Sequence, residues 1–271
     1  MAEPTPDRVG DVAAAPSGQP ILEARGIVKT YGHVQALQGA DFTAYAGDVV
    51  ALIGDNGAGK STLTKVISGV IAPDEGELLF DGQPVEIPSP AAAQRLGIET
   101  VFQDLALAPD LDGAANVYLG REVMRQGLLG KLGVLDTRAM RAGAVDSFAS
   151  LGVAIRDADV PVAYLSGGQR QGVAVARAAS WASKVIILDE PTAALGVVQT
   201  ANVLDVIRRV RDRGLAVVLI SHNMPEVLEV ADRIEVLRLG RRVATFTRAE
   251  ATLESLVGAM TGALSQEQQR R

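Results

Sequence analysis

The stretch GDNGAGKST, residues 54–62, carries the strongest structural signal in this chain of 271 residues. It fits the pattern of a glycine, four variable residues and then Gly-Lys-Ser, with Ser61 in the last position. An apolar run, VVALI at 49–53, precedes it, and a helical stretch, TLTKVISGV at 62–70, follows it. A buried strand, a glycine-rich loop and a helix in this order predict a phosphate-binding P-loop.

The residue types of this loop match what phosphate binding requires. Backbone N–H groups must approach phosphate oxygens closely, so we expect Gly54, Gly57 and Gly59 to keep Cβ atoms away. The positive end of the helix adds to the attraction, Lys60 is expected to reach the β- and γ-phosphates, and Ser61 offers its hydroxyl to Mg²⁺. The predicted nucleotide contacts in this loop are Gly54, Asn56, Gly57, Ala58, Gly59, Lys60, Ser61 and Thr62.

A second apolar run, VIILD at 185–189, ends in a carboxylate that Glu190 follows directly. A P-loop predicts a second strand with a carboxylate near the Mg²⁺, so we assign Asp189 to the metal. Adjacent strand residues point to opposite sides, and Glu190 therefore cannot repeat the role of Asp189. We expect it to act on the water that attacks the γ-phosphorus, as general base or as its positioner. Two solvated acids at a helix start are the alternative.

The stretch LSGGQRQG at 165–172 predicts a second anion-binding helix start. Ser166 can cap the helix, and Gly167 and Gly168 expose backbone N–H groups there. A single nucleotide does not need two such sites from one subunit. We therefore expect a dimer in which Ser166, Gly168 and Gln169 of each subunit contact the nucleotide held by the other.

Composition narrows the possible classes of protein. Hydrophobic residues make up 48% of the chain, which allows a sizeable core and excludes disorder for most of it. A net charge of −6 and an aromatic share of 4% argue against a nucleic-acid partner. The chain has no cysteine and two histidines, which excludes disulfides, thiolate metal sites and histidine-rich metal sites. No apolar run approaches the roughly 20 residues that span a bilayer.

We divide the chain into a flexible tail at 1–20, one nucleotide-binding domain at 21–263 and a polar tail at 264–271. The first tail carries acids and prolines without an apolar segment, so we expect neither a signal peptide nor an anchor in it. From 21 to about 80, two-residue alternation predicts antiparallel strands, with a hairpin turn at Asp81-Gly82.

The rest of the domain alternates between helical and strand-like segments. The region at about 104–164 predicts a mostly helical subdomain, with a helix face that contains Val145, Phe148, Ala149 and Gly152. Beyond it, helical stretches at 168–182 and 197–213 lie between the strand-like runs 185–189 and 216–221. Strands that alternate with helices predict parallel βαβ units. A final hairpin at 233–246 and a short amphipathic helix at 253–260 complete the predicted elements.

In their order along the chain, GDNGAGKST, LSGGQ, IILDEPT and ISH resemble the nucleotide-binding subunit of an ABC transporter. The resemblance covers about residues 21–263, and LSGGQ discriminates because kinases and GTPases with P-loops lack it. It implies the ABC ATPase fold: an α/β P-loop NTPase with a mostly parallel core sheet, an N-terminal antiparallel β subdomain and an inserted α-helical subdomain. It also implies ATP and Mg²⁺ as cofactors and ATP hydrolysis as the activity.

The resemblance implies roles for three further residues. Tyr31, in KTYGHVQAL, is similar to the aromatic residue that stacks on adenine. Gln103, in TVFQD, resembles the glutamine that senses Mg²⁺ and the attacking water, and His222 resembles the switch histidine at the γ-phosphate. Ordinary strand-end roles are the alternatives. The implied catalytic residues are Lys60, Gln103, Glu190 and His222, and the implied metal-binding residues are Ser61, Gln103 and Asp189.

Two longer stretches, FQDLALAPDLDGAANVYLGRE and SHNMPEVLEVADRIEVLRLGRR, resemble the ATPases of bacterial monosaccharide importers of the ribose, xylose and fructose type, in the single-cassette, fructose-like branch. The implied partners are transmembrane permease subunits, a second copy of the chain in a head-to-tail ATP dimer and, indirectly, a periplasmic sugar-binding protein. The implied location is peripheral, on the cytoplasmic face of the bacterial inner membrane.

An importer ATPase for another small solute and a soluble ABC ATPase without a transport role are the alternatives. An ABC ATPase of DNA repair or chromosome packing would need a long coiled-coil insertion, for which the segment between Gln103 and Leu165 is too short. A translation factor would carry a second cassette, and a non-hydrolysing regulatory cassette would usually have lost Lys60 or Glu190. One departure from the family pattern is Gly196, where an aspartate commonly stands in a loop across the dimer interface.

Overall fold

Two sheets flanked by helices form the part of the protein that the computed structural model describes, residues 18–154 and 159–263. The strands are β1 (Leu22–Tyr31), β2 (Val34–Ala44), β3 (Val49–Ile53), β4 (Glu75–Phe80), β5 (Gln83–Val85), β6 (Ile98–Val101), β7 (Val185–Asp189), β8 (Ala216–Ile220), β9 (Arg233–Arg238) and β10 (Arg241–Thr247). The helices are α1 (Lys60–Ile67), α2 (Pro90–Arg95), α3 (Gly113–Tyr118), α4 (Leu128–Lys131), α5 (Thr137–Leu151), α6 (Gly167–Trp181), α7 (Val197–Asp212), α8 (Met224–Val230) and α9 (Leu253–Thr261). The predicted tails lie outside the described residues, except for 18–20.

The first sheet is antiparallel, with the strand order β2-β1-β4-β5. Its strand β2 buries Ala40, Phe42 and Ala44 completely, as the two-residue alternation predicts. The turn between β4 and β5 has φ values of 50° at Asp81 and 72° at Gly82, the left-handed pair that a tight hairpin turn needs. The expected antiparallel sheet and its hairpin are therefore confirmed.

The second sheet has the order β10-β9-β3-β8-β7-β6, and only the outer strand β10 runs antiparallel to its neighbour. Strand β3 is buried on both faces, with one face toward α5, α6 and α7 and the other toward α1 and the antiparallel sheet. Parallel strands bring their carboxyl ends to one edge of a sheet, where ligands of open α/β folds bind. The core sheet therefore gathers the ends of β3, β6, β7 and β8 at one edge.

A mostly helical region separates β6 from α6 and is held to α6 by Trp181, whose indole Nε1 donates to the carbonyl of Val117 at 2.9 Å. Helix α5 packs against this region, but the predicted helix face is wrong in part. Phe148 is buried as expected, whereas Val145 and Ala149 are exposed. The buried face consists of Met140, Ala144, Phe148 and Leu151. Both sets fit a helical period, and the position of α3 and α6 selects between them.

Candidate nucleotide-binding site

The loop between β3 and α1 needs glycine partly because neighbouring strands pack closely against it on the side away from the ligand. A Cβ at Gly54 would lie 2.2 Å from the carbonyl oxygen of Leu237, and one at Gly59 would lie 2.7 Å from that of Ala36. Gly57 has a φ of +81° and open space around its Cβ position. Only Gly57 therefore fits the expectation of a glycine that leaves room in front of the loop, while Gly54 and Gly59 are required by strands packed behind it.

Lys60 lies across this loop, with its side chain almost fully buried at 9% exposure. Its Nζ donates to the carbonyl oxygens of Gly54 at 2.6 Å and of Asp55 at 3.1 Å. Burial lowers the pKa of the Lys60 ammonium, and the charges of Glu190, Asp55 and Asp189 oppose that shift. The ammonium is therefore close enough to the strand-end carboxylates to interact with them.

The two carboxylates after β7 occupy different environments. Burial raises the pKa of Asp189, as does the charge of Glu190, and Lys60 and Lys65 act against this. Strand β7 ends at Asp189, and Glu190 has a φ of +52° while its N–H donates to the carbonyl of Ile220 at 2.9 Å. Glu190 thus lies outside the strand, so strand alternation does not separate its side chain from that of Asp189, and this expected cause is wrong. The left-handed backbone at Glu190 sets the direction of its side chain instead.

His222, which follows β8, meets Glu190 at the edge of the sheet. Its Nδ1 lies 2.8 Å from Oε2 and 2.9 Å from Oε1 of Glu190. The histidine side chain is 69% exposed, whereas that of Glu190 is only 16% exposed. A shielded carboxylate beside an accessible imidazole can hold or pass a proton at the mouth of the site.

A further contact between the two loops was not foreseen from the sequence. The carboxylate of Glu226 on α8 binds the Thr192 hydroxyl, and it also accepts from Asn223 Nδ2 at 2.6 Å. Thr192 lies two residues after Glu190, and Asn223 follows His222. Glu226 therefore ties together the loops that carry the Glu190–His222 pair. The polar residues after each strand, in DEPT and SHN, are the signal that could have suggested it.

Gln103 and Tyr31 are both exposed, Gln103 just beyond the end of β6 and Tyr31 at the end of β1. Val101 pairs with Leu188, so Gln103 lies two residues beyond β6 at the edge where Asp189 ends β7. Tyr31 ends β1 and is 46% exposed. It belongs to the hairpin whose second strand packs against Gly59 of the loop. Both residues are therefore accessible from solvent.

The donors available for a magnesium ion are few. Within the described ranges, 18–154 and 159–263, no group of three or more acidic or histidine side chains could hold a metal ion. Ser61 is exposed at the start of α1, and Asp189 ends β7. One hydroxyl and one carboxylate fit Mg²⁺, which usually keeps several waters and binds substrate phosphates as well.

The LSGGQ element forms a capping box at the start of α6, which confirms the predicted cap at Ser166. Its Oγ accepts from Gln169 N at 3.3 Å, and Gln169 Oε1 accepts from Ser166 N at 2.9 Å. The amide oxygen of Gln169 is therefore used within the chain, and its Nε2 is the group left for a ligand. A Cβ at Gly168 would lie 2.8 Å from the side chain of Gln199 on α7.

Comparison with known proteins identifies the class to which this arrangement belongs. Residues 37–193 match the family model described as ABC transporter, which covers more than half of the chain. The matched segment contains the P-loop, the capping box at Ser166 and both carboxylates after β7. The chain therefore belongs to the ABC transporter family as one of its ATP-binding cassettes, and it is an ATP hydrolase.

The chain is similar to ATPases of sugar importers. It is 54% identical over 247 residues to the fructose import ATP-binding protein FrcA of Rhizobium meliloti, over 90% of this chain and 95% of that protein. It is 46% identical over 241 residues to the xylose/arabinose import ATP-binding protein XylG of Sulfolobus acidocaldarius, over 89% and 94%. A solved dimeric, post-hydrolysis structure of the cassette MJ0796 with ADP and Pi has a TM-score of 0.70 at 25% identity, over 84% of this chain and 98% of that chain. The resemblance drawn from the motifs is confirmed.

Proposed function

We propose that this chain powers the import of a monosaccharide as the ATP-hydrolysing subunit of a transporter in the bacterial inner membrane. Support comes from two relatives named for the import of different sugars, at 54% and 46% identity over nearly the whole chain. The observation that carries the enzymatic part is the Glu190–His222 pair at the edge of the sheet, beside the loop that holds Lys60.

In this proposal, the P-loop and Tyr31 hold ATP. The backbone N–H groups of the loop and the ammonium of Lys60 bind the β- and γ-phosphates, and Tyr31 stacks on the adenine. Lys60 exchanges its loop carbonyl partners for phosphate oxygens. Because Lys60 is almost buried, its charge is poorly screened by water and acts strongly on the phosphates.

In this proposal, the residues at the strand ends bind the metal ion and act on the attacking water. Ser61 and Asp189, with the help of Gln103, would hold Mg²⁺, which would supply positive charge beside the phosphates. The Glu190 carboxylate accepts a proton from the water that attacks the γ-phosphorus. His222, in contact with Glu190, orients this carboxylate and contacts the γ-phosphate. The left-handed backbone at Glu190 supports a functional role, since such strain is concentrated at active sites.

A second copy of the chain completes each site with Ser166, Gly168 and Gln169. The start of α6 offers free backbone N–H groups of the kind that bind anions. A relative of the same fold, MJ0796, is a dimer with ADP and Pi bound. Gly196 caps α7 without a side chain, so position 196 brings no carboxylate to this proposed interface.

Permease subunits are the membrane partners in this proposal, with a periplasmic sugar-binding protein acting through them. Among the described residues, no helix is long and apolar enough to cross a bilayer. The helical region between β6 and α6 exposes apolar side chains, with Leu128 73% and Leu132 71% exposed, which suits contact with a protein partner. The proposed location is the cytoplasmic face of the inner membrane. A carrier of another small solute is the alternative.

Co-expression with candidate permease subunits tests the transport role. We expect the chain to sediment with membranes only when its permease is present, and its ATPase in proteoliposomes to rise with the matching sugar and binding protein. Glu190→Gln is the matched control, because it should sediment equally but hydrolyse little ATP. A chain that stays in the soluble fraction, with ATPase activity indifferent to permease and sugar, would contradict the importer proposal.

A further inference from the structure

Arg177, in the middle of α6, reaches out of its helix to the loop that follows Gln103. Its Nη1 donates to the carbonyl of Ala106 at 2.7 Å and its Nη2 to that of Leu105 at 2.8 Å. The guanidinium thus binds two successive backbone carbonyls in a fork, a geometry that a planar arginine provides and lysine does not. The loop is therefore fastened to α6 by its backbone, whatever its side chains do.

The same loop is held again a few residues later. Asn116 of α3 is fully buried, accepts from Ala108 N at 2.7 Å and donates to Ala108 O at 3.0 Å. Ala106, one of the two residues that Arg177 binds, has a φ of +48°. A non-glycine residue in this left-handed region is strained and persists only where its surroundings impose that backbone conformation. The segment after Gln103 is thus held in one shape by Arg177 and Asn116.

The helix that carries Arg177 begins at the Ser166 cap. Arg177 lies eleven residues after Ser166 on a helix that rises 1.5 Å per residue, so roughly 16 Å of rigid helix joins them. Most of that helix is buried against the core, from Gln171 to Ala179. The loop at Leu105 and Ala106 is therefore connected to the cap at Ser166 through Arg177 and the body of α6.

We infer that Arg177 is a positioning residue, which makes the Gln103 loop and the helix that begins at Ser166 move as one body. The inference rests on the proposed function, in which Gln103 helps to hold Mg²⁺ at the site of its own chain and Ser166 contacts the nucleotide held by the second copy. Arg177 then links the state of one ATP site to the geometry of the other. A rigid element that contacts both sites is one physical means of coupling them.

The charged groups near Arg177 also join β6, the helical region and α6. The guanidinium of Arg177 is partly buried; burial lowers its pKa, and the charge of Glu99 on β6 acts against that shift. Glu99 is itself buried at 8% exposure and forms an ion pair with Arg121 of the helical region. Arg121 in turn lies 4.9 Å from the ring centre of Trp181 on α6. The charged neighbours of Arg177 thus belong to the same junction between β6 and α6.

A double-mutant cycle between Arg177 and Gln103 tests the inference in the full-length chain, reconstituted with its permease. We expect Arg177→Gln to lower kcat about 10- to 100-fold, the cost of a misplaced active-site group, with the KM for ATP nearly unchanged. Combined with Gln103→Ala, it should add little further loss, because both changes remove one function. The Hill coefficient for ATP should fall toward one, and Arg177→Lys, which keeps the charge, should recover part of kcat.

Arg208→Gln is the matched control, since Arg208 also bridges two partners, Asp205 and Glu229, but on the exposed side of α7. It should leave kcat and the Hill coefficient at wild-type values. Arg177→Gln with wild-type kinetics, or with a loss fully additive to Gln103→Ala, would overturn the inference and leave the proposed function intact. If Arg177→Gln does not fold, the same cycle with Arg177→Lys decides. A wild-type chain that hydrolyses no ATP would contradict the proposed function itself.

Discussion

At the scale of single residues, the backbone conformation of Glu190 determines where its carboxylate lies. Its φ of +52° turns the side chain out of the line of β7, and its N–H is held by the carbonyl of Ile220 at 2.9 Å. The carboxylate then lies within 2.8 Å of His222 Nδ1. A residue held in this sparsely populated region costs of the order of 1–3 kcal/mol. The neighbouring strands β7 and β8 supply the contacts that maintain it.

Gly54 and Gly57 form a natural pair for testing what the P-loop requires. We predict that Gly54→Ala lowers the free energy of unfolding well beyond Gly57→Ala, because its Cβ would lie 2.2 Å from the Leu237 carbonyl. Gly57→Ala meets open space, so its cost should stay near the roughly 1–2 kcal/mol of left-handed backbone strain. Urea unfolding without nucleotide measures both. Equal destabilisation by the two substitutions would show that the packing behind Gly54 does not matter.

Glu235 on β9 is fully buried between the two sheets, and burial raises its pKa to about 7, opposed by Arg242 and Arg233. Its Oε1 accepts from Thr43 N at 3.2 Å and from Arg242 Nη1 at 3.3 Å. The folded pKa lies above the unfolded value of 4.5, so the folded state binds a proton that the unfolded chain releases between these values. Stability should therefore fall as pH rises from 4.5 to 7.

Replacing Glu235 with glutamine tests this assignment. We predict that Glu235→Gln is more stable than the wild type at pH 8, by up to about 3 kcal/mol, and nearly equal to it at pH 5. The amide oxygen can keep the bonds that Oε1 accepts, so the change removes the charge and little else. The measurement is the free energy of unfolding of both proteins from pH 5 to 8. A constant difference across this range would contradict the raised pKa.

The residue types of the site could be predicted from sequence where a motif fixes them, but their geometry could not. The spacing of the P-loop identified Lys60 and Ser61, and the strand end identified Asp189. The left-handed backbone at Glu190 and the fork of Arg177 depend on which carbonyls neighbouring elements present. A sequence pattern holds no record of those contacts, since they join segments far apart in the chain.

At the scale of elements, two helices begin with the same capping box. Ser166 and Gln169 form it on α6, and Thr252 and Ser255 form it on α9, where Thr252 Oγ1 accepts from Ser255 N at 3.1 Å. Of these two helix starts, only that of α6 contacts a nucleotide in the proposed function. Substitutions at Ser166 and Thr252 therefore distinguish the structural role of a cap from a role in nucleotide binding.

We predict that Ser166→Ala and Thr252→Ala each lower the free energy of unfolding by about 1 kcal/mol, the usual loss for a side-chain cap. Only Ser166→Ala should also lower kcat/KM, by about 10-fold or more, because a hydrogen bond to a charged phosphate is lost. Denaturant unfolding and steady-state ATPase measurements on the same preparations check both effects. Unchanged ATPase activity in Ser166→Ala would remove Ser166 from the proposed interface.

Strands and turns could be predicted from the sequence where a local residue pattern allows only one assignment. The continuous apolar runs of β3, β7 and β8 predicted buried parallel strands, and Asp81-Gly82 predicted its hairpin. The face of α5 was predicted wrongly, because Val145 is apolar yet exposed at 44%. Both candidate faces fit a 3.6-residue period, and only the tertiary neighbours of the helix decide which is buried.

At the scale of the whole molecule, the parallel sheet collects residues from separate segments at one edge. Lys60 follows β3, Gln103 follows β6, Asp189 ends β7 and His222 follows β8. The start of α6, capped by Ser166, is a second glycine-containing helix terminus in the same chain. In the proposed function, this second terminus completes the site of another copy, so that ATP acts as the contact between two subunits.

One measurement tests this account most directly: the size and activity of Glu190→Gln with saturating ATP and Mg²⁺. We predict that this variant binds ATP, releases almost no phosphate and elutes in size-exclusion chromatography with light scattering at twice the monomer mass. The wild type under the same conditions should hydrolyse ATP and elute mainly as a monomer. Normal phosphate release by Glu190→Gln, or a variant that binds ATP and yet stays monomeric, would contradict the central claim.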